Sequence, residues 1–284
     1  MSLNFGSLQF LALESPSQAV HPAGTPTSPL TSSSPPFVMA HYASLYHGGA
    51  SMPPLPPGIP VRSVWKDNLE LELRFLHSFV HNARYAAVNI HYPGVIHNGS
   101  QKHTSQTADE RYSVVKANVD ALKPIQVGLA IYNDFGHIVA WEFNLRGFHP
   151  VTDPHAANSV GYLQERSLSF DEHQVHGITA LRLATGLSGC GLFRRPQISW
   201  TTYAGLYHVG YLMKYLSMGN QLPDSLGGFL DMVRQFLGQD VYDVARIAVD
   251  CALPPGLEHV ASSLFLVPAA LSPRLAGAGS LLAL

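Results

Sequence analysis

The segment from Tyr85 to Tyr92 carries the first chemically informative pattern in the chain. Read as a strand, it puts Ala86, Val88, Ile90 and Tyr92 on one face and Ala87, Asn89 and His91 on the other. An amide and an imidazole two residues apart on an otherwise apolar strand need partners, because a buried unpaired polar group is costly. A site would supply them. His77 and His81 stand at i, i+4 and share a helix face, but no Glu or third ligand accompanies them in a zincin-type pattern. The fifteen histidines are otherwise scattered and read as ordinary surface or half-buried residues. Two cysteines, Cys190 and Cys251, do not make a disulfide framework and point to a reducing, intracellular compartment.

Composition bounds what such a site could serve. The 284 residues are 46 % apolar, enough to bury a core, and only 13 % charged. A formal net charge of −2 supplies no basic field, so contact with RNA would need a local groove. No stretch approaches the roughly 20 apolar residues that cross a bilayer. No Lys or Arg precedes Arg62, so the basic region of a secretory signal is missing.

The elements that must position the site begin late. Residues 1–60 hold about half of the 21 prolines and a serine cluster at Ser32–Ser34, and they read as a disordered arm. Its run Pro53-Pro54-Leu55-Pro56-Pro57 is either a polyproline II ligand or a plain extended linker. From Ser63, a plausible N-cap, Trp65, Leu69, Leu73, Leu76 and Val80 recur at helical spacing. Ile125–Tyr132 and Ile138–Leu145 read as strands joined through the turn Asn133-Asp134-Phe135-Gly136. Residues 150–195 read as helix and loop. A short strand, Ile198–Tyr203, leads into a helix with the stripe Leu206, Val209, Leu212, Met213 and Leu216. A second helix over Asp224–Leu237, a strand near Val241 and a helix from about Asp243 to Cys251 complete an alternating α/β pattern.

Asn89-Ile90-His91-Tyr92-Pro93-Gly94-Val95 resembles the Asp-Thr-Glu-Phe-Pro-Gly signature of the Caf1/Pop2 poly(A) deadenylases. Lys116-Ala117-Asn118-Val119-Asp120, Pro124–Leu129, Trp141-Glu142-Phe143-Asn144, Gly210–Lys214, Leu222-Pro223-Asp224 and Val241-Tyr242-Asp243 follow in the family's order. The resemblance runs over 61–284 and implies a ribonuclease H-like fold of the DEDD exonuclease type, a mixed five-stranded sheet flanked by helices. It also implies a place in an mRNA deadenylation complex, between a Not1-type scaffold and a Ccr4-type partner, in nucleus and cytoplasm. Family enzymes remove 3′ adenosines with two divalent ions, Mg or Mn. The chain ends soon after Leu281-Leu282, where the family continues through a final helix, so the domain reads as C-terminally truncated.

Two dications about 3.5–4 Å apart repel strongly, and hard ions of this kind require carboxylate oxygens. The family supplies four acidic residues, with a histidine assisting the attacking water. By the resemblance, those acidic positions fall on Asn89, His91, His208 and Gly279, and the histidine on Arg274. His208 lies off the Leu206–Val209–Met213 stripe, so it can line one cleft with Asn89 and His91. With no carboxylate left at these positions, no magnesium site and no other cofactor is expected. Asp243 survives from the family pattern, and Asn89, His91, His208 and Asp243 together suggest an alternative zinc-type site. Arg274 has two readings, a local ion pair or a phosphate contact. The expected function is that of a catalytically inactive deadenylase-like subunit acting through its partners. An active poly(A)-specific 3′-exoribonuclease and a weak poly(A)-binding module are the alternatives.

Overall fold

The computed structural model describes residues 59, 61–97, 106–264, 266 and 275–284. Apart from Ile59, the proline-rich arm lies outside the described residues, and so does Arg274.

The sheet has six described strands rather than five: β1 Val61–Val64, β2 Ala83–His91, β3 Gln126–Asn133, β4 Ile138–Asn144, β5 Ser199–Thr202 and β6 Val241–Asp243. Their order is β1-β4-β3-β2-β5-β6. The β4-β3-β2 centre is antiparallel, and β1, β5 and β6 join in parallel. The additional strand arises where a helix cap was expected. Ser63 lies inside β1, opposite Glu142 of β4, with the β-branched Val64 fully buried beside it. The turn that follows is held by Asn68, whose Oδ1 accepts from Trp65 N at 2.7 Å and whose Nδ2 donates to Ser63 O at 3.0 Å. Helix α1 therefore begins only at Leu69 and runs to Phe79, before a 3-10 turn over Val80–Asn82.

Five helices follow with the strands among them: α2 Ala108–Ala121, α3 Ala157–Glu165, α4 Phe170–His176, α5 Ala180–Gly189 and α6 Leu206–Leu216. Then come α7 Leu226–Leu237, α8 Val244–Asp250, α9 Leu257–Ser263 and α10 Ala276–Ala283. The β3–β4 hairpin turns as its residues dictate. Gly136 takes a positive φ of 79°, its N–H reaches Asn133 O, and Asn133 Oδ1 accepts from Phe135 N.

Alternation along the strands gives the sheet two different faces. Ala86, Val88 and Ile90 pair across β3 with Ile131, Leu129 and Val127, and Leu129 and Val127 pair onward with Trp141 and Phe143 of β4. This face builds the main core, together with Leu69 and Leu76 of α1, Val115 and Val119 of α2, Leu183 and Leu187 of α5, Leu212 and Met213 of α6, and Phe229 and Val233 of α7. The other face is built from small residues. Ala87, Ala130 and Ala140 form one row across β2, β3 and β4, and Asn89, Gly128 and Glu142 form the next. Leu281 and Ala283 of α10 pack on the alanines.

The blocks that carry the family resemblance are tied to one another by polar contacts. Lys116 Nζ donates to Asp120 Oδ2 and to Leu222 O, while Asp120 Oδ1 accepts from Leu222 N. Lys214 Nζ donates to the carbonyls of Val119 and Asp120. Asn118, fully buried, accepts from the N–H groups of Ile96 and His97 and donates to His97 O. These bonds lock α2 to α6, to the turn before α7 and to the chain leaving β2. Helix α2 itself starts from a capping box, Thr107 with Glu110.

Candidate functional site

Strand β2 carries Asn89 and His91 on the small-residue face, and α10 is laid directly over it. Gly128 makes this approach possible, since a Cβ there would fall 1.8 Å from Ala276 O. Glycine at 277 is required by the same closeness, its added Cβ falling 2.4 Å from Val61 Cγ1. At Gly279 an added Cβ would fall 1.7 Å from Asn89 Nδ2. Gly279 is thus bare backbone pressed on the Asn89 side chain.

The start of α10 is held by two side chains from the sheet. Glu142 Oε2 accepts from Gly277 N at 3.0 Å, and Gln126 Oε1 from Ala276 N at 3.4 Å. A carboxylate at a helix N-terminus is favourable. Burial nevertheless pushes the Glu142 carboxyl above its usual range, with the Gly277 and Gln126 hydrogen bonds pulling it back. Glu142 is a carboxylate on this face that the residue pattern did not single out. Its signal was available, a lone acid between Trp141 and Phe143 in an apolar strand.

His208 reaches the site from the first turn of α6. Its Nδ1 accepts from Ile90 N at 3.0 Å. Pairing of β2 with β5 stops at Ala87–Thr201, so this N–H has no strand partner there, and the ring supplies one. A neutral imidazole accepting at Nδ1 carries its proton on Nε2, and a further hydrogen bond joins the ring to the Tyr203 backbone. Burial lowers its pKa to about 4. For His91 burial dominates, with the nearby His208 and Arg166 adding to it and a bond to the Leu275 backbone opposing; its pKa falls to about 3. The His91 ring stacks on Tyr162, and the Arg166 guanidinium sits 3.6 Å from the Tyr162 ring centre on α3. Neither Tyr162 nor Arg166 was indicated by the residue pattern, because α3 shows only weak apolar periodicity.

Asn89, His91, His208 and Gly279 are therefore gathered at one place. Asp243 serves elsewhere. Its carboxylate accepts from Ala204 N, Gly205 N and Ala245 N, each at 2.9 Å, and so joins the starts of α6 and α8. Among the described residues no three His, Cys, Asp or Glu side chains are grouped to hold a metal ion. The donors that are gathered, an amide, two low-basicity imidazoles and a glycine, do not suit two hard dications. An imidazole with so low a pKa is also a poor proton acceptor for an attacking water.

The model of the CAF1 family ribonucleases matches residues 64–179. The chain is 30 % identical over 216 residues to a probable CCR4-associated factor 1 homolog (homolog 7) of Arabidopsis thaliana, spanning 72 % of this chain and 78 % of that relative. The chain belongs to the CAF1 family. It is also 31 % identical over 168 residues to the poly(A) ribonuclease pop2 of Schizosaccharomyces pombe, covering 58 % of this chain and 49 % of that protein. Among solved structures, the Mg2+- and Mn2+-bound form of S. pombe Pop2p superposes with a TM-score of 0.71 at 27 % identity, covering 79 % of this chain and 89 % of that one. A yeast structure of the NOT1 MIF4G domain co-crystallised with CAF1 gives a TM-score of 0.62 at 26 % identity, covering 82 % and 88 %. The CAF1 fold is ribonuclease H-like, a mixed sheet flanked by helices, as expected from the resemblance.

The neutral rings set a pH dependence. His91, His208 and the buried His173 all have folded pKa values below the usual 6.5. The unfolded chain therefore takes up protons first as pH falls. Stability is fully present above about pH 6.5 and is lost as pH drops toward the folded values. At pH 5 the expected loss is about 1–2 kcal/mol for each of His91 and His208, after allowing for the partial solvent access of both rings. The raised carboxyls of Glu142 and Asp243 act in the opposite sense, so they offset part of this loss. Thermal melts between pH 7.5 and 5 measure the net effect, and His208→Gln should flatten it.

Proposed function

We propose that this chain is a non-catalytic subunit of CCR4-NOT-type mRNA deadenylation complexes, in nucleus and cytoplasm. It takes the place of a CAF1 ribonuclease and acts by binding a Not1-type scaffold and a Ccr4-type partner. One observation carries the reading: Asn89, His91, His208 and Gly279, the positions the resemblance assigns to the metal ligands, come together without a carboxylate among them, Gly279 backbone lying against Asn89. The retained ties among the family blocks support an intact framework for partner binding. The co-crystallised NOT1 and CAF1 domains and the name CCR4-associated factor supply the partner classes.

The family's own activity, poly(A) shortening from the 3′ end, is the competing reading, favoured by the relative named poly(A) ribonuclease. Purified full chain is expected to leave a labelled oligo(A) unshortened in Mg2+ or Mn2+, under conditions where S. pombe Pop2p degrades it. Shortening that disappears on His91→Ala or His208→Ala would overturn the proposal. Co-purification with a MIF4G domain is expected, and failure to bind either partner removes the adaptor role. Poly(A) affinity is expected to be weak, given a net charge of −2.

A further inference from the structure

His77 and His81, left without a role by the cleft, stand exposed at the end of α1 and in the turn after it. His77 Nδ1 lies 3.1 Å from Cys190 O, and His81 Nδ1 lies 2.9 Å from His77 O. A carbonyl oxygen only accepts, so both Nδ1 atoms donate. Each neutral ring therefore carries its proton on Nδ1 and presents a lone pair at Nε2. Backbone carbonyls fixing the tautomer in this way are what metal-ligating histidines ordinarily have behind them. The ring centres are 5.2 Å apart and the planes nearly perpendicular, at 89°. Two imidazoles bound through one nitrogen each to a tetrahedral ion, at about 2 Å, leave a separation of about 5 Å between ring centres.

We propose that His77 and His81 form a two-histidine surface site for one borderline transition-metal ion of the Zn2+ or Ni2+ class, ligated through the two Nε2 atoms. Water completes the coordination, as in open zinc sites. Imidazole ligands select this class over Mg2+. The Arg195 guanidinium beside the site donates to Val80 O and His81 O and is engaged with the backbone. Through the His77–Cys190 bond, a bound ion would also fasten the end of α1 to the end of α5. The site is independent of the cleft and of the proposed partner role.

Titration of the full chain with Zn2+, Ni2+ and Mg2+ by calorimetry at pH 7.5, beside His77→Gln and His81→Gln, tests this. Zn2+ and Ni2+ should each bind, with one equivalent lost or weakened at least tenfold in either variant, because two linked ligands far exceed one. Mg2+ should give no such event. Ring 15N spectra should show zinc-dependent shifts at Nε2, rather than Nδ1, of both residues. Unchanged binding in both variants, or no Zn2+ binding by the parent chain, overturns the proposal. Should His77→Gln unfold, His81→Gln carries the test, since His81 is exposed and its ring bonds only a carbonyl within its own turn.

Discussion

Asp243→Ala is expected to destabilise the protein by about 4 kcal/mol, measured as the shift in urea midpoint at constant m-value. The carboxylate accepts from three backbone N–H groups at 2.9 Å, two of them 38 and 39 residues away in sequence. Removing it leaves the buried Gly205 donor and the part-buried Ala204 and Ala245 donors without this acceptor, and each unsatisfied buried donor costs about 1–3 kcal/mol before relaxation. Ala204 adds to the burden, because its φ of 50° is a left-handed conformation that an L-residue adopts only when held. Asp243→Asn, which keeps one acceptor oxygen, should lose roughly half as much. An equal loss in both variants would mean that the charge, and not the hydrogen bonds, matters.

Gly279→Asp, which puts a carboxylate where the resemblance assigns the family's last acid, is expected to cost about 3 kcal/mol and to give no poly(A) shortening. The new Cβ would fall 1.7 Å from Asn89 Nδ2. Either Asn89 changes rotamer in a crowded place or α10 lifts from the sheet, and the second loses its packing on Ala87, Ala130 and Ala140. Combining it with Asn89→Asp, His91→Glu and His208→Asp sets several carboxylates in one enclosed space, so the full revertant should be less stable still. Melting curves with and without Mg2+ read both effects. A revertant as stable as the parent would show that α10 is free to shift.

Much of this was legible in the residues, for reasons that differ by element. The strand around Asn89 and the β3–β4 hairpin followed from alternation and from Asn133 and Gly136, because both signals are local. Helix α2 was not legible as a helix. Its inward face includes Asn118, a residue that apolar periodicity counts as exposed. Strand β1 was hidden because Ser63 has the chemistry of a cap, and only its pairing with β4 shows otherwise. Helix α10 was hidden more completely. Ala276-Gly277-Ala278-Gly279 has poor helix propensity, and what favours it is a sheet face of alanine and glycine some 150 residues earlier. The gathering of Asn89, His91 and His208 was anticipated from strand face and stripe. The use of Asp243 as a double cap was not, since nothing local announces partners at Ala204 and Gly205.

The ties around Asn118, Asp120, Lys116 and Lys214 have a consequence for linkage. In small metalloproteins the free energy of ion binding is part of the free energy of folding, so loss of ligands and loss of structure arrive together. Here the bonds that lock α2, α6 and the turn before α7 run between amides, carbonyls, two lysines and one carboxylate, and none passes through the cleft. This network of bonds lies outside the cleft. Substitutions at the cleft therefore leave these ties in place, and their cost is confined to α10, Asn89 and the bonds of His208.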